Sequence, residues 1–324
     1  MYHVLITNEV PSGLLEPLTG LANILQGPSG GDLMSRAEVM RLAPTLDAII
    51  NQAELRVDRE LLEAAPRLQI VANVALGTDN LDLQAMAERG VWATNVQDAF
   101  VDSTADCTLG LILGVARRLV EADSHVRAGL WKSFQPGVWD GTTLAGKTLG
   151  IVGYGRIGQA VARRARAFGM NIVWCRRTAS DDPEYRVLED LLRESDFISL
   201  HLPLTAGTRH LLNAERLALV KKGAVLINMA RGKVIDEKAL AAALGEGGRL
   251  GGAGLDVFEF EPEIHPDLLR NEKVILTPHL GGGTREARQA ARLLCVKNVA
   301  AVLRGEKPLT PVNLPKRKPG KMAP

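Results

Sequence analysis

Cysteine is scarce in this 324-residue chain, and the three present, Cys107, Cys175 and Cys295, lie too far apart in sequence to form the close pairs that hold metals. Their odd number also argues against a disulfide framework, so a reducing compartment, the cytoplasm, is expected. An excess of one charge is lacking too: 39 Lys and Arg face 37 Asp and Glu, a net charge of +2. Without a single-sign field nothing implies nucleic acid as a partner, and the charges read as solvated faces. The densest basic run, Lys316, Arg317, Lys318 and Lys321, sits in a Pro-containing tail that reads as a disordered end without a function. Long apolar runs are missing. The longest, Leu109 to Ala116, falls well short of the roughly 18 residues needed to cross a bilayer, so no membrane partner is expected. The start runs straight into HVLIT, with no basic segment, long apolar core or small-residue cleavage site, and no export signal is read. No repeat of fixed period and no low-complexity region beyond the tail is visible.

What is present is an α/β alternation. With 46% apolar residues the chain can bury the cores of two domains of ordinary size. Up to about residue 98, short β-rich runs (VLIT, DAII, QIVANV, VWATN) alternate with helix-like segments at Arg36 to Leu42 and Arg59 to Ala65, the pattern of a parallel sheet with crossover helices. From Asp102 to about Gly129 an apolar face at helical spacing (Ala105, Leu109, Leu113, Ala116, Leu119) predicts one long helix between two domains. The less regular segment Leu130 to Gly146 carries Trp131, Phe134, Pro136 and Trp139, for which core packing is expected ahead of a subunit contact or a wall of the substrate site. A second series then runs TLGIVG, NIVWC, FISLHLP, AVLINMARG, GGAGLDVF and VILTPH, six strands separated by helices, the number of a complete dinucleotide-binding sheet. A last helix, from about Arg285 to Leu303, crosses back and makes the first domain discontinuous.

Gly153-Tyr154-Gly155-Arg156-Ile157-Gly158 fits the pattern G-x-G-x-x-G, a weak signal alone in a chain with 32 glycines. Its context is strong: it follows the apolar strand Thr148 to Val152 and opens an Ala-rich helix, so the backbone can approach a pyrophosphate placed on the helix N-terminus. The next strand, Asn171 to Cys175, should end at the adenosine ribose, where an enzyme using NAD commonly presents a carboxylate. Here Arg176-Arg177-Thr178 follows instead, 18 residues beyond Gly158. Two guanidiniums can grip a 2′-phosphate that a carboxylate would repel, so NADP(H) is the expected cofactor and NAD(H) the alternative. The nearest acids, Asp181 and Asp182, weigh against that preference.

In open α/β sheets ligands lie beyond the carboxyl ends of the strands. Polar residues stand there after AVLI (Asn228 to Gly232), after GAG (Asp256 to Pro262) and after VILT (Pro278 to Gly281). Arg231, Glu261 and His279 from these three places would suit reduction of a 2-oxo acid. Arg231 can hold a planar carboxylate, and His279 can protonate the carbonyl oxygen as hydride arrives. A neighbouring Glu261 would orient the imidazole and favour its charged form, and no metal is needed. Taken singly, each has an ordinary structural explanation, and His3, His125, His201, His210 and His265 keep it, although His201 also lies near a cofactor-side strand end.

Together with VANVALGTDNLDL, DSTADCTLGLILGVARRL, GKTLGIVGYGRIGQ, SLHLPLTAGTRHLLN, LINMARGKVIDEKAL, AGLDVFEFEP and TPHLGGGT, these residues make the chain resemble the D-isomer-specific 2-hydroxyacid dehydrogenases, most nearly their glyoxylate/hydroxypyruvate reductase branch, over almost its whole length. The resemblance implies two Rossmann-like doubly wound domains, the first flavodoxin-like, with the active site in the cleft between them. Residues 1–100 plus 288–324 would form the substrate domain and 101–287 the dinucleotide domain. It implies that Arg231 binds substrate, that Glu261, the acid immediately before Pro262, pairs with the catalytic histidine, and that His279 donates the proton. Glu259 is the competing carboxylate. Leu76 and Gly77 match a loop whose amides hold the substrate carboxylate. Arg156 and Ile157 match the pyrophosphate turn, Leu202, Pro203 and Thr208 the adenosine side, and Met229, Ala230, Asp256 and Gly281 the nicotinamide side. A homodimer is implied, with the long helix and the Trp131 to Gly141 segment near the contact.

The chain departs from the family where Gly-Ser-Ala often follows the histidine and leucine. Gly281-Gly282-Gly283 stands here, a change expected to loosen the loop or enlarge the pocket, and Arg285 beyond it reads as a surface residue or as a cation for a longer or twice-acidic substrate. Glyoxylate, hydroxypyruvate and 2-ketogluconate are candidate substrates. Phosphoglycerate and formate dehydrogenases fit less well, and a dinucleotide-sensing corepressor is the reading from another class.

Overall fold

A computed structural model describes residues 1–29, 32–52 and 54–316. Of the basic tail only Lys316 is among them, its amide donating to the Ala87 carbonyl; Arg317, Lys318 and Lys321 lie outside the described residues. The chain forms two compact units, Met1–Phe100 with Thr284–Pro324, and Val101–Gly283.

The first unit opens with β1 (Tyr2–Ile6), β2 (Ala22–Gln26), α1 (Arg36–Leu42), β3 (Ala48–Asn51), α2 (Arg59–Ala64), β4 (Ile70–Asn73), α3 (Leu83–Glu88) and β5 (Trp92–Thr94). All five strands run parallel in the order β2-β1-β3-β4-β5, so the chain reverses direction across the sheet between β1 and β3, as in flavodoxin-like folds. Side-chain oxygens start the helices where the sequence offers them. Ser35 closes a capping box with Glu38 on α1, and Asp58 and Asp82 accept from Leu61 and Ala85 on α2 and α3. The β2 strand is absent from the sequence-based reading. It is an edge strand with no fully buried residue, so it shows neither an apolar run nor a clean alternation.

The second unit contains α4 (Val101–Ala116), α5 (Leu119–Arg127), β6 (Thr148–Val152), α6 (Arg156–Ala167), β7 (Asn171–Cys175), α7 (Leu188–Glu194), β8 (Phe197–Leu200), α8 (Ala214–Leu217), β9 (Ala224–Asn228), α9 (Glu237–Leu244), β10 (Leu250–Leu255), α10 (Pro266–Leu269) and β11 (Val274–Leu276). Its six parallel strands lie in the order β11-β10-β9-β8-β6-β7, a Rossmann arrangement with the reversal between β6 and β8. Strands β8 and β9 are buried at every residue, as strands covered on both faces must be. The chain then returns to the first unit through α11 (Arg285–Leu303), capped by Thr284, which packs Ala291, Cys295, Val296 and Val299 into that unit's core.

Two expectations are corrected here. The predicted long helix is broken into α4 and α5, because the Ala116 carbonyl accepts from the Thr142 amide (2.7 Å) instead of continuing the helix, and Arg118 turns into the left-handed region at φ 53°. Arg118 is held there by Glu121 (2.6 and 2.8 Å), the Val138 carbonyl (2.7 Å) and the Trp139 ring. Core packing of the 130–146 segment is also overturned: it contains no regular element, and Trp131 and Phe134 are 59% and 84% exposed. Among the described residues no helix is long and apolar enough to cross a membrane.

Phe197, on β8, is the largest fully buried side chain. Phe197→Ala should lower unfolding free energy by about 3–5 kcal/mol, read as a reduced urea midpoint. A loss below about 1 kcal/mol would mean that the core refills the space.

Candidate active site

At the turn after β6 the three motif glycines serve three different ends. Gly153 has φ +99°, and a Cβ there would lie 2.3 Å from the His201 carbonyl oxygen. A Cβ at Gly158 would lie 2.3 Å from the Gly153 carbonyl, so this glycine lets helix and strand close on each other. A Cβ at Gly155 would meet nothing within 4 Å. That is the open position past which a ligand can reach the backbone. Gly155 is also the N-cap of α6 and offers no side chain to its first turn, which leaves a dipole end suited to an anion.

Beyond β7, Arg176 and Arg177 are exposed, and among the described residues neither makes an ion pair. Arg176 Nε donates to the Thr178 carbonyl (3.2 Å), and its guanidinium lies over the Trp174 ring at 5.4 Å. Asp182 does not neutralise them: its carboxylate accepts from the Glu184 amide at 2.8 Å. After β8, Thr208 closes its loop by donating to the Pro203 carbonyl (2.7 Å) and accepting from the Thr205 amide (2.7 Å), while Leu202 packs partly against the core. His201, in the same loop, is hydrogen-bonded to Ser199 at 2.7 Å, and burial pushes its pKa down to about 3, so the ring is neutral.

Past β10 and β11, His279 Nδ1 lies 3.0 Å from Glu261 Oε2. Burial would raise the Glu261 carboxyl, but the His279 hydrogen bond, the Phe258 amide (2.9 Å) and the charges of His279 and Arg231 outweigh it and hold it below the ordinary range. Arg231 follows β9, where Asn228 braces it by donating to its carbonyl (3.1 Å) and accepting from the Ala230 amide (3.0 Å). Glu259, by contrast, faces away from this pair and meets His210 Nε2 at 2.6 Å.

The supports of these side chains were only partly evident in the sequence. His279 has a left-handed backbone, φ 52°, a strain of roughly 1–3 kcal/mol that its surroundings must offset. Asp256, buried at the end of β10, does so. Its carboxylate accepts from Thr277 Oγ1 (2.6 Å), the Leu280 amide (2.8 Å) and the Gly281 amide (2.8 Å), and its carbonyl accepts the His279 amide (2.9 Å). A Cβ at Gly281 would press on the Met229 terminal methyl and the Asp256 carboxylate, so the glycine keeps this packing close. Gly283 closes a tight turn by donating its amide to the Leu280 carbonyl (2.6 Å). Behind Glu261, the buried Glu237 accepts the amides of Glu259 (2.7 Å) and His265 (2.7 Å), and Gly232 packs against the Phe258 and Glu259 backbone so closely that no Cβ fits. Asp256 was legible as a polar residue directly after a strand, whereas Glu237, the first residue of α9, carries no such signal.

In the first unit, Leu76 and Gly77 follow β4. Their carbonyls accept from Asn95 (2.7 Å) and Asn73 (3.0 Å), whereas among the described residues their amides donate to nothing. Arg285 is exposed at the first turn of α11.

The family described as D-isomer specific 2-hydroxyacid dehydrogenase, NAD binding domain, matches residues 109–281. The chain belongs to this family. It is 44% identical over 330 residues to a glyoxylate reductase of Thermococcus kodakarensis, covering 98% of each, and 46% identical over 298 residues to one of Pyrococcus horikoshii, covering 88% and 89%. Among solved structures it is similar to an NADPH-dependent glyoxylate/hydroxypyruvate reductase of Sinorhizobium meliloti in complex with NADP and malonate (TM-score 0.84, 32% identity, 99% of each chain). A glyoxylate reductase from Paecilomyes thermophila is similar too (TM-score 0.85, 34% identity, 96% and 98% covered).

The lowered Glu261 value fixes the sign of a pH effect. A carboxyl held below its ordinary 4.5 adds stability that is complete above that pH and is lost as pH falls through the folded value. Glu261 and His279 are 37% and 52% exposed, so screening keeps the gain on the order of 0.5 kcal/mol or less. Glu261→Gln should lower the thermal midpoint by a margin that holds from neutrality to about pH 4.5 and closes below it. A margin that does not change with pH would assign the loss to packing.

Proposed function

We propose that this dehydrogenase reduces a small 2-oxo acid, of the glyoxylate, hydroxypyruvate or 2-ketogluconate kind, to the D-2-hydroxy acid with NADP(H). The observation that carries the reading is the 3.0 Å His279–Glu261 contact within the field of Arg231, at the ends of three neighbouring strands. The open backbone at Gly155 fits a dinucleotide pyrophosphate, and the unpaired Arg176 and Arg177, with Thr178, fit a 2′-phosphate. NADP in the Sinorhizobium meliloti structure and the names of the relatives agree with this.

In this reading the bound nicotinamide supplies the hydride to C2. Arg231 and the amides of Leu76 and Gly77 hold the substrate carboxylate, which orients the carbonyl. His279 Nε2 carries the proton that the carbonyl oxygen takes up as its double bond becomes the C–O bond of the alcohol. Glu261 holds the opposite ring nitrogen, which keeps the imidazole aimed. Asp256 keeps the His279 turn closed, and with Met229, Ala230 and Gly281 it frames the nicotinamide side. Three free cysteines suit a reducing, cytoplasmic setting.

The exposed Leu130, Trp131, Phe134 and Val138, continuous in sequence with exposed Leu119, Val120 and Val126 of α5, form an apolar stretch that a homodimer would cover.

Steady-state rates with NADPH and NADH should show turnover of at least one of the three acids, with NADPH favoured by roughly 10- to 100-fold from charge-assisted hydrogen bonds. Equal use of NADH would remove the NADP(H) preference, and tight NADPH binding without any turnover would favour a dinucleotide-sensing binding protein. His279→Ala should cut kcat by about 10²- to 10⁴-fold with little change in NADPH affinity. Sedimentation should give a dimer that Trp131→Glu with Phe134→Glu converts to monomer; a monomeric native protein would reject the assembly.

A further inference from the structure

Cofactor preference in this fold is usually read from the charged residues after the second strand, and here one of them lies over a buried aromatic ring. Trp174, on β7, is 3% exposed. Tyr154, the residue between the first two motif glycines, stacks on its ring at 4.4 Å and 7° between planes, and Tyr185 meets the ring edge-on at 5.4 Å and 70°. The indole is thereby fixed from two sides. Over it lies the Arg176 guanidinium, which stands among exposed residues and, among the described residues, is tethered otherwise only by the Thr178 carbonyl.

The way Arg176 is held matters for its chemistry. A carboxylate would orient a guanidinium but neutralise the charge that a phosphate needs. An aromatic face orients it through the ring quadrupole and leaves the charge and the Nη donors available. Holding a long side chain in one place before a ligand arrives also removes rotamer entropy that binding would otherwise lose. Packing alone does not account for the indole, since its Nε1–H is buried with no acceptor among the described residues and an apolar side chain would carry no such penalty.

We propose that Trp174 is a positioning residue for the 2′-phosphate of NADP(H), holding Arg176 in place with its charge free, on a stack that begins at Tyr154 in the pyrophosphate turn. This rests on the reading that the site takes NADP(H). The stack couples the two phosphate-binding places of the cofactor: the turn that meets the pyrophosphate and the arginine that meets the ribose phosphate share one rigid aromatic column.

The test measures inhibition by adenosine 2′,5′-bisphosphate and by ADP, together with KM for NADPH and NADH, in full-length protein carrying Trp174→Phe or Trp174→Leu. A partly exposed cation–π contact is worth about two- to fivefold in affinity. Trp174→Leu should weaken the bisphosphate by that factor and leave ADP unmoved, with Trp174→Phe between it and the native protein and the change carried by KM for NADPH. A parallel loss for both nucleotides, or no loss for either, overturns the proposal. Should Trp174→Leu fail to fold, Trp174→Phe decides in combination with Arg176→Met. The Phe substitution must reduce bisphosphate discrimination when Arg176 is present and have no effect when it is absent; an equal effect in both backgrounds rejects the coupling. A native protein that fails to discriminate the bisphosphate from ADP would instead remove the NADP(H) reading itself.

Discussion

The buried carboxylate of Asp256 is the constraint on which the site depends. It sits where β10 ends and takes three hydrogen bonds from the segment after β11, so two neighbouring strands end in one tied unit. That tie offsets the strain of the left-handed His279 backbone, from which Nδ1 meets Glu261. A parallel sheet makes such an arrangement natural, since all its strands deliver their carboxyl ends to the same edge. Two further acids extend it. Glu237 gathers the amides around Glu259, Glu259 meets His210, and the loop carrying Glu261 is thereby fixed to the loop after β8 and to the one after Arg231.

The site therefore has layers of different solvent exposure. His279 and Glu261 are partly open, while Asp256, Glu237 and Glu259 behind them are buried and satisfied. Buried carboxylates are tolerated here because backbone amides, donors that cannot move away, satisfy them. The same logic runs through the cofactor side, where Gly153 and Gly158 exist to let backbone meet backbone and Gly155 is left facing open space.

Much of this was legible from residue order alone. Alternating β and helical runs gave the two parallel sheets, and the glycine motif was interpretable because a strand precedes it and a helix follows. Polar residues after apolar strands pointed to the region of Arg231, Glu261 and His279. What escaped had non-local causes. The break between α4 and α5 depends on the Thr142 amide taking a carbonyl that the helix would otherwise use. Edge strand β2 has too few buried residues to show a period. Trp131 and Phe134 of the 130–146 segment look like core by type and are exposed by position. A pattern of hydrophobicity records how much apolar surface a segment has, and a contact with a second chain uses the same surface as a core.

The neutral imidazole of His201 has a consequence for how this protein fails. Held near pKa 3 in the fold, the ring takes up a proton only when its surroundings open, whereas in an unfolded chain it titrates at its ordinary 6.5. Between those two values every step toward acid favours opening of the loop that packs against Gly153. Mild acidification therefore weighs against the packing of this loop on the Gly153 turn while Glu261, held below its ordinary range, is still ionised.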